Sequence, residues 1–182
     1  MSKGWVLVSE TDELRTMVDL LASKVRALED HLEITQLVAQ YGPAVDSGSG
    51  DAAADLWTDG GTFDAVPQLR MRGREDISGM VHGSGHQSLI NNGCGHVLTV
   101  PHITVDGDEA TGRSYALNIR WDAEADRFWV ARVSANTWRW VRTPEGWRIR
   151  ERVNANLDGT ADHRAMLAPL ETGGPSRHPA GR

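Results

Sequence analysis

Arg127-Phe-Trp-Val-Ala-Arg-Val-Ser-Ala-Asn-Thr-Trp-Arg-Trp-Val-Arg-Thr-Pro-Glu-Gly-Trp-Arg-Ile-Arg-Glu-Arg-Val-Asn-Ala-Asn-Leu157 is the stretch that decides the fold. Its centre, Thr143-Pro-Glu-Gly, is turn chemistry, so the runs 127–142 and 147–157 read as two antiparallel strands of a hairpin. In the second run Trp147, Ile149, Val153, Ala155 and Leu157 alternate with Arg148, Arg150, Arg152, Asn154 and Asn156. This spacing predicts one apolar and one polar face, and Glu151 alone breaks the apolar series. In the first run Phe128, Val130, Trp138 and Trp140 share a parity with Arg132, Ser134 and Asn136. Polar groups set among rings suit a cavity wall better than a dry core.

Upstream, Asp122-Ala-Glu-Ala-Asp and Asp106-Gly-Asp mark further turns, giving strands near 96–105 and 110–121 and completing an antiparallel meander. Ser114, Ala116 and Asn118 fall on one face of the strand 110–121, and such small residues leave room for a ligand. Segments around 62–65 and 69–72 form another hairpin, and the glycine-rich run 83–95 reads as a loop bordering a site.

Helical periodicity precedes the strands. From Thr11 to about Val45 the apolar residues Leu14, Val18, Leu21, Val25, Leu28 and Leu32 lie four and three apart, and Ser47-Gly-Ser-Gly ends the helix. Such a stripe is either buried against the chain's own core or joins subunits as a short coiled coil, in a homodimer or homotrimer. Pro43 is expected to bend the last turn. Asp51 reads as the cap of a short helix running through Trp57 and stopped by Gly60-Gly61, and Arg74 to about His82 as a third helix. Helices first and a meander last give an α+β fold, with N-terminal helices packed on a curved antiparallel (mixed) sheet around one apolar pocket. The domain spans 11–170, after an extension 1–10 and before a flexible tail 171–182.

At 182 residues, with 40% apolar and 24% charged residues, the chain fits one folded domain. A net charge of -6 argues against a nucleic-acid surface. Cys94 is the only cysteine, and no apolar run approaches the roughly 20 residues that span a bilayer, so the expectation is a cytoplasmic protein without disulfides or membrane segments. Seven tryptophans stand against two tyrosines and two phenylalanines, rings that fill a core or line a cavity.

The motifs Leu32-Glu-Ile-Thr-Gln-Leu-Val-Ala-Gln-Tyr-Gly-Pro-Ala-Val-Asp46, Leu56-Trp-Thr-Asp-Gly, Gly95-His96, Ile103-Thr-Val-Asp-Gly-Asp-Glu-Ala-Thr-Gly-Arg113 and Glu145-Gly-Trp-Arg-Ile come in a telling order. Over roughly 25–165 the chain resembles the SnoaL-like branch of the nuclear-transport-factor-two-like superfamily. The resemblance implies a cone with a deep pocket, used by scytalone and bile-acid dehydratases, polyketide cyclases and ketosteroid isomerase, but also by noncatalytic small subunits of ring-hydroxylating dioxygenases. The bile-acid dehydratase pattern places its Tyr, Asp and His on Tyr41, Asp46 and His96. Its further Asp and Arg fall on Asn118 and about Asn156, where this chain departs from it.

On that resemblance, His96 is the expected base, taking a proton from carbon beside a carbonyl and later giving one to a departing hydroxyl. Asp46 would orient the imidazole, and Tyr41 would donate to the developing oxyanion. Asn118 and Asn156 are further neutral donors, and Trp57, Phe63, Trp138 and Ala116 read as apolar walls against the substrate. The expectation is thus a dehydratase or isomerase needing no cofactor or metal, acting on a bulky apolar cyclic substrate such as a steroid or polyketide. The alternative is a noncatalytic binding or assembly module whose pocket is filled by side chains. Asp46 also suits a turn cap, Tyr41 plain core and His96 a structural role. His82, His86, Cys94 and His96 have metal-ligand chemistry, but Gly83 and Gly85 interrupt the spacing. Arg120 and Asp122 read as a surface ion pair beside a turn.

Overall fold

Helix α1 (Glu10–Asp46) changes surroundings half-way along its length. In the computed structural model, which describes residues 10–66 and 69–168, Ile34, Leu37, Val38, Tyr41 and Val45 are buried. Leu14, Val18, Leu21, Val25, Leu28 and Leu32 are all exposed, so among the described residues nothing buries the heptad stripe of the first half. Pro43 sits inside the final turn, and the helix runs through it to Asp46. Of the expected extension 1–10, residues 1–9 lie outside the described residues, as does the tail 171–182, and Glu10 already belongs to α1.

The remaining elements are α2 (Gly50–Ala54), β1 (Trp57–Val66), β2 (Leu69–Arg72), α3 (Gly73–His82), α4 (Ser84–Asn91), β3 (Cys94–Leu98), β4 (His102–Asp106), β5 (Glu109–Asp122), β6 (Arg127–Thr143), β7 (Gly146–Asn156) and α5 (Ala161–Ala165). The sheet order is β2-β1-β7-β6-β5-β3, with β4 also on β5; β1 runs parallel to β7 and the other pairs are antiparallel. This is the expected α+β arrangement, with α1 and α3 packed on a mixed sheet.

The structure corrects several boundaries. The segment expected as a loop from Gly83 to Gly95 holds α4 and the start of β3, because tertiary packing of the buried His86 overrides weak local propensity. The long first strand is two, split around Pro101, which has no N–H to donate to a ladder. Asp51 caps no helix; its carboxylate accepts from the Ser78 hydroxyl, while Ser49 holds the cap position. Gly60-Gly61 does not end a helix but bulges β1, and a Cβ on Gly61 would fall 2.7 Å from the Trp57 ring and 3.0 Å from the Ile149 carbonyl.

The largest correction concerns β7. Arg139 pairs with Glu151 and Trp140 with Ile149, so Arg150 is an extra, unpaired residue. Alternation inverts there: Trp147 and Ile149 point into the core before the bulge, and Arg152 and Asn154 point inward after it. A second bulge leaves Ala131 unpaired between Asn118↔Arg132 and Ile119↔Val130. Beyond it Phe128, Trp129 and Val130 are exposed, so that end of β6 leaves the core. The core itself centres on Trp57, Trp138, Trp140, Trp147, Ile149, Ile34, Ile77 and Val81, with Trp138 and Trp140 stacked at 5.6 Å.

Candidate functional site

Asp46 is the last residue of α1, where the aligned peptide dipoles leave partial negative charge. A carboxylate there needs donors, and β3 supplies them. The His96 backbone N–H donates to Oδ2 at 2.7 Å, and His96 Nδ1 lies 2.5 Å from Oδ1. The Cys94 thiol approaches Oδ1 at 3.7 Å. Burial pushes the Asp46 carboxyl up, but the His96 ring and backbone N–H bonds, with the thiol, outweigh it and hold the group below its usual range. Asp46 thus stays ionised, accepts the Nδ1 proton, and leaves Nε2 as the basic nitrogen of His96.

Gly42 makes this alignment possible. A Cβ at that position would lie 2.2 Å from the His96 carbonyl oxygen, so only glycine lets α1 approach β3 this closely. From the other side the His86 ring packs 5.4 Å from the His96 ring, fixed by a 2.8 Å hydrogen bond to the Val45 carbonyl.

His96 lines a cavity of about 370 Å³ together with Tyr41, Phe63, Ala65, Met71, Met80, His86, Leu98, Ala116, Asn118, Arg120, Arg132, Arg152 and Asn154, among others. Asn118 pairs with His96 across β3 and β5, which brings both to the same wall. Tyr41 is buried edge-on against Trp57 and Phe63, and burial raises its hydroxyl pKa, so it remains a hydrogen-bond donor at neutral pH. The guanidinium of Arg152 lies 4.3 Å over Tyr41, 4.4 Å over Phe63 and 4.7 Å over Trp138, and Nε donates to Asn136 at 3.0 Å. Arg132 Nε donates to Ser134 at 2.8 Å, and its Nη2 to Asn154.

Arg152 and Asn154 escape strand-parity reasoning because the bulge at Arg150 reverses their face. The one signal of it is Glu151 interrupting the apolar series. Trp57 and Trp138 are core rather than cavity wall: each is 1% exposed, and Trp138 Nε1 donates inward to Ser114 at 3.0 Å. Asn156 also lies off the cavity lining, with its carbonyl bonded to His163 and its side chain 3.5 Å from Ser134. Arg120 faces the cavity and forms no ion pair with Asp122 among the described residues; Asp122 accepts from the backbone of Glu124 and Ala125.

His82, His86, Cys94 and His96 do not assemble as a metal quartet, because His82 packs beside Gly50 and Ser78. Asp46, Cys94 and His96 do cluster, with ligand atoms within 4.8 Å, a set that zinc accepts. Burial, and then the neighbouring Asp46 charge, push the Cys94 thiol up, which favours the S–H that donates to Asp46 over the thiolate that a metal requires. No described helix is long and apolar enough to cross a membrane.

The SnoaL-like domain profile matches residues 26–153. An NTF2-like protein with a cystatin-like fold from Novosphingobium aromaticivorans is 39% identical, over 89% of this chain and 99% of its own, with a TM-score of 0.78. A protein of unknown function from Mycobacterium tuberculosis (24% identity, 75% of this chain, 88% of its own, TM-score 0.62) shares the fold. So does ActVI-ORFA from Streptomyces coelicolor (18% identity, 71% of this chain, 98% of its own, TM-score 0.61). No curated protein matches in sequence. Profile, fold and close relative agree that the chain belongs to the SnoaL-like family of the NTF2-like superfamily, which includes polyketide cyclases and isomerases.

Proposed function

We propose that the protein is a dehydratase or isomerase that works without a cofactor on a bulky, largely apolar cyclic substrate of the polyketide or steroid kind. The observation that carries this reading is the 2.5 Å Asp46–His96 contact on the wall of a cavity of about 370 Å³. His96 Nε2 removes a proton from carbon beside a carbonyl, and the C–H electrons move to give an enolate. Tyr41 donates to the enolate oxygen, and Asp46 stabilises the imidazolium. In dehydration the enolate expels the β-hydroxyl, which takes the proton from His96 and leaves as water; in isomerisation the proton returns to the γ-carbon. A cavity within the usual ligand-pocket range supports catalysis over a noncatalytic module whose pocket is filled by side chains.

The test is turnover of cyclic β-hydroxy and β,γ-unsaturated ketones, read by absorbance of the conjugated product. His96→Ala should abolish turnover with the fold intact, and turnover at the wild-type rate would overturn the mechanism.

A further inference from the structure

Among the described residues the cavity wall holds three guanidinium groups, from Arg120, Arg132 and Arg152, and no carboxylate. The nearby carboxylate, Asp46, is committed to His96. Among the described residues neither Arg132 nor Arg152 has an ion-pair partner, and Arg152 Nη1 is buried with no hydrogen-bond acceptor. Arg152 is 3% exposed. Burial lowers the pKa of both guanidiniums and outweighs the opposite influence of Tyr41, and the charge of Arg132 further disfavours that of Arg152. A guanidinium nonetheless stays charged at neutral pH, so two like charges share one water-poor wall. The three rings around Arg152 offset part of this cost, but they hold the cation without neutralising it. Their rigid packing keeps the fork in place before any ligand arrives, which suits planar, charge-assisted recognition.

We propose that the substrate is an anion: a cyclic carboxylate whose carboxyl group lies against Arg132 and Arg152 while its ring carbon is presented to His96. This rests on the enzymatic reading above and narrows it to carboxylic acids. The volume, roughly a dozen water-sized groups, fits a molecule of two or three rings. A phosphate dianion would call for more donors than these two partly engaged forks provide.

Calorimetric titration of the full chain with 2-naphthoate, its methyl ester and its amide tests the proposal. The acid should bind at least about tenfold more tightly than either neutral isostere, as expected for a charge-assisted contact. Arg132→Met should erase that preference. Arg152→Lys should weaken acid binding but keep the preference, which covers the case that Arg152→Met fails to fold. Ester binding as tight as that of the acid, an unchanged acid-to-ester ratio in Arg132→Met, or no acid binding below about 1 mM overturns it. His96→Ala separates the two claims. It should bind 2-naphthoate with the wild-type preference while turning nothing over, so a preference retained together with wild-type turnover sinks only the catalytic reading.

Discussion

Gly42→Ala isolates the close approach that aligns the candidate acid–base pair. The added methyl would sit 2.2 Å from the His96 carbonyl oxygen, where ordinary contacts begin at 3.4 Å. The obstacle is backbone, so no rotamer change relieves it, and α1 and β3 must part by about 1 Å. Overpacking of this kind destabilises by about 1–3 kcal/mol, and for a domain of this size each kcal/mol lowers Tm by about 2–4 °C. The same displacement stretches the 2.5 Å Asp46–His96 contact to the outer limit of a hydrogen bond. In proton NMR the wild type should therefore show a strongly downfield Nδ1 proton that the variant loses, and turnover should fall about 100-fold. An unchanged downfield signal together with an unchanged Tm would refute the role assigned to Gly42.

Asp46 is more acidic in the folded chain than in the unfolded one, so its stabilisation is present above the unfolded carboxylate pKa of about 3.9 and is lost as pH falls through the folded value. The stability gap between wild type and Asp46→Asn, measured by urea unfolding, should therefore close on acidification below about pH 4, and a constant gap would contradict it. Trp138→Ala should destabilise by about 3–5 kcal/mol, as a core residue does. Ala116→Leu should instead fill the cavity, leaving denaturant midpoints nearly unchanged while abolishing 2-naphthoate binding. We propose that the exposed stripe on α1 joins copies of the chain; Leu21→Glu with Leu28→Glu should then lower the oligomeric state seen in sedimentation, and an unchanged sedimentation coefficient would exclude this contact.

The order of elements was legible because it rests on local chemistry: a heptad-spaced helix, Thr143-Pro-Glu-Gly and Asp106-Gly-Asp turns, and tryptophans in strands. The convergence of Tyr41, Asp46 and His96 near one cavity was anticipated through a family pattern; periodicity alone does not bring residues 46 and 96 together. What stayed hidden was set by long-range pairing. Arg150 is unpaired because β6 and β1 both shift register beside it, and no property of Arg150 itself signals this. Helix α4 forms in a glycine-flanked segment because His86 is buried against α1, again a tertiary cause.

The bulge at Arg150 divides β7 into two territories with different neighbours. Residues before it pack into the core, as Trp147 and Ile149 do, and residues after it line the cavity, as Arg152 and Asn154 do. Deleting Arg150 alone would remove the bulge and keep Arg152 and Asn154 inward, since Ile149, Glu151 and Arg152 would then alternate in, out and in. Pairing Arg150 regularly without a deletion would instead send Arg152 to the outer face and bring Val153 inward.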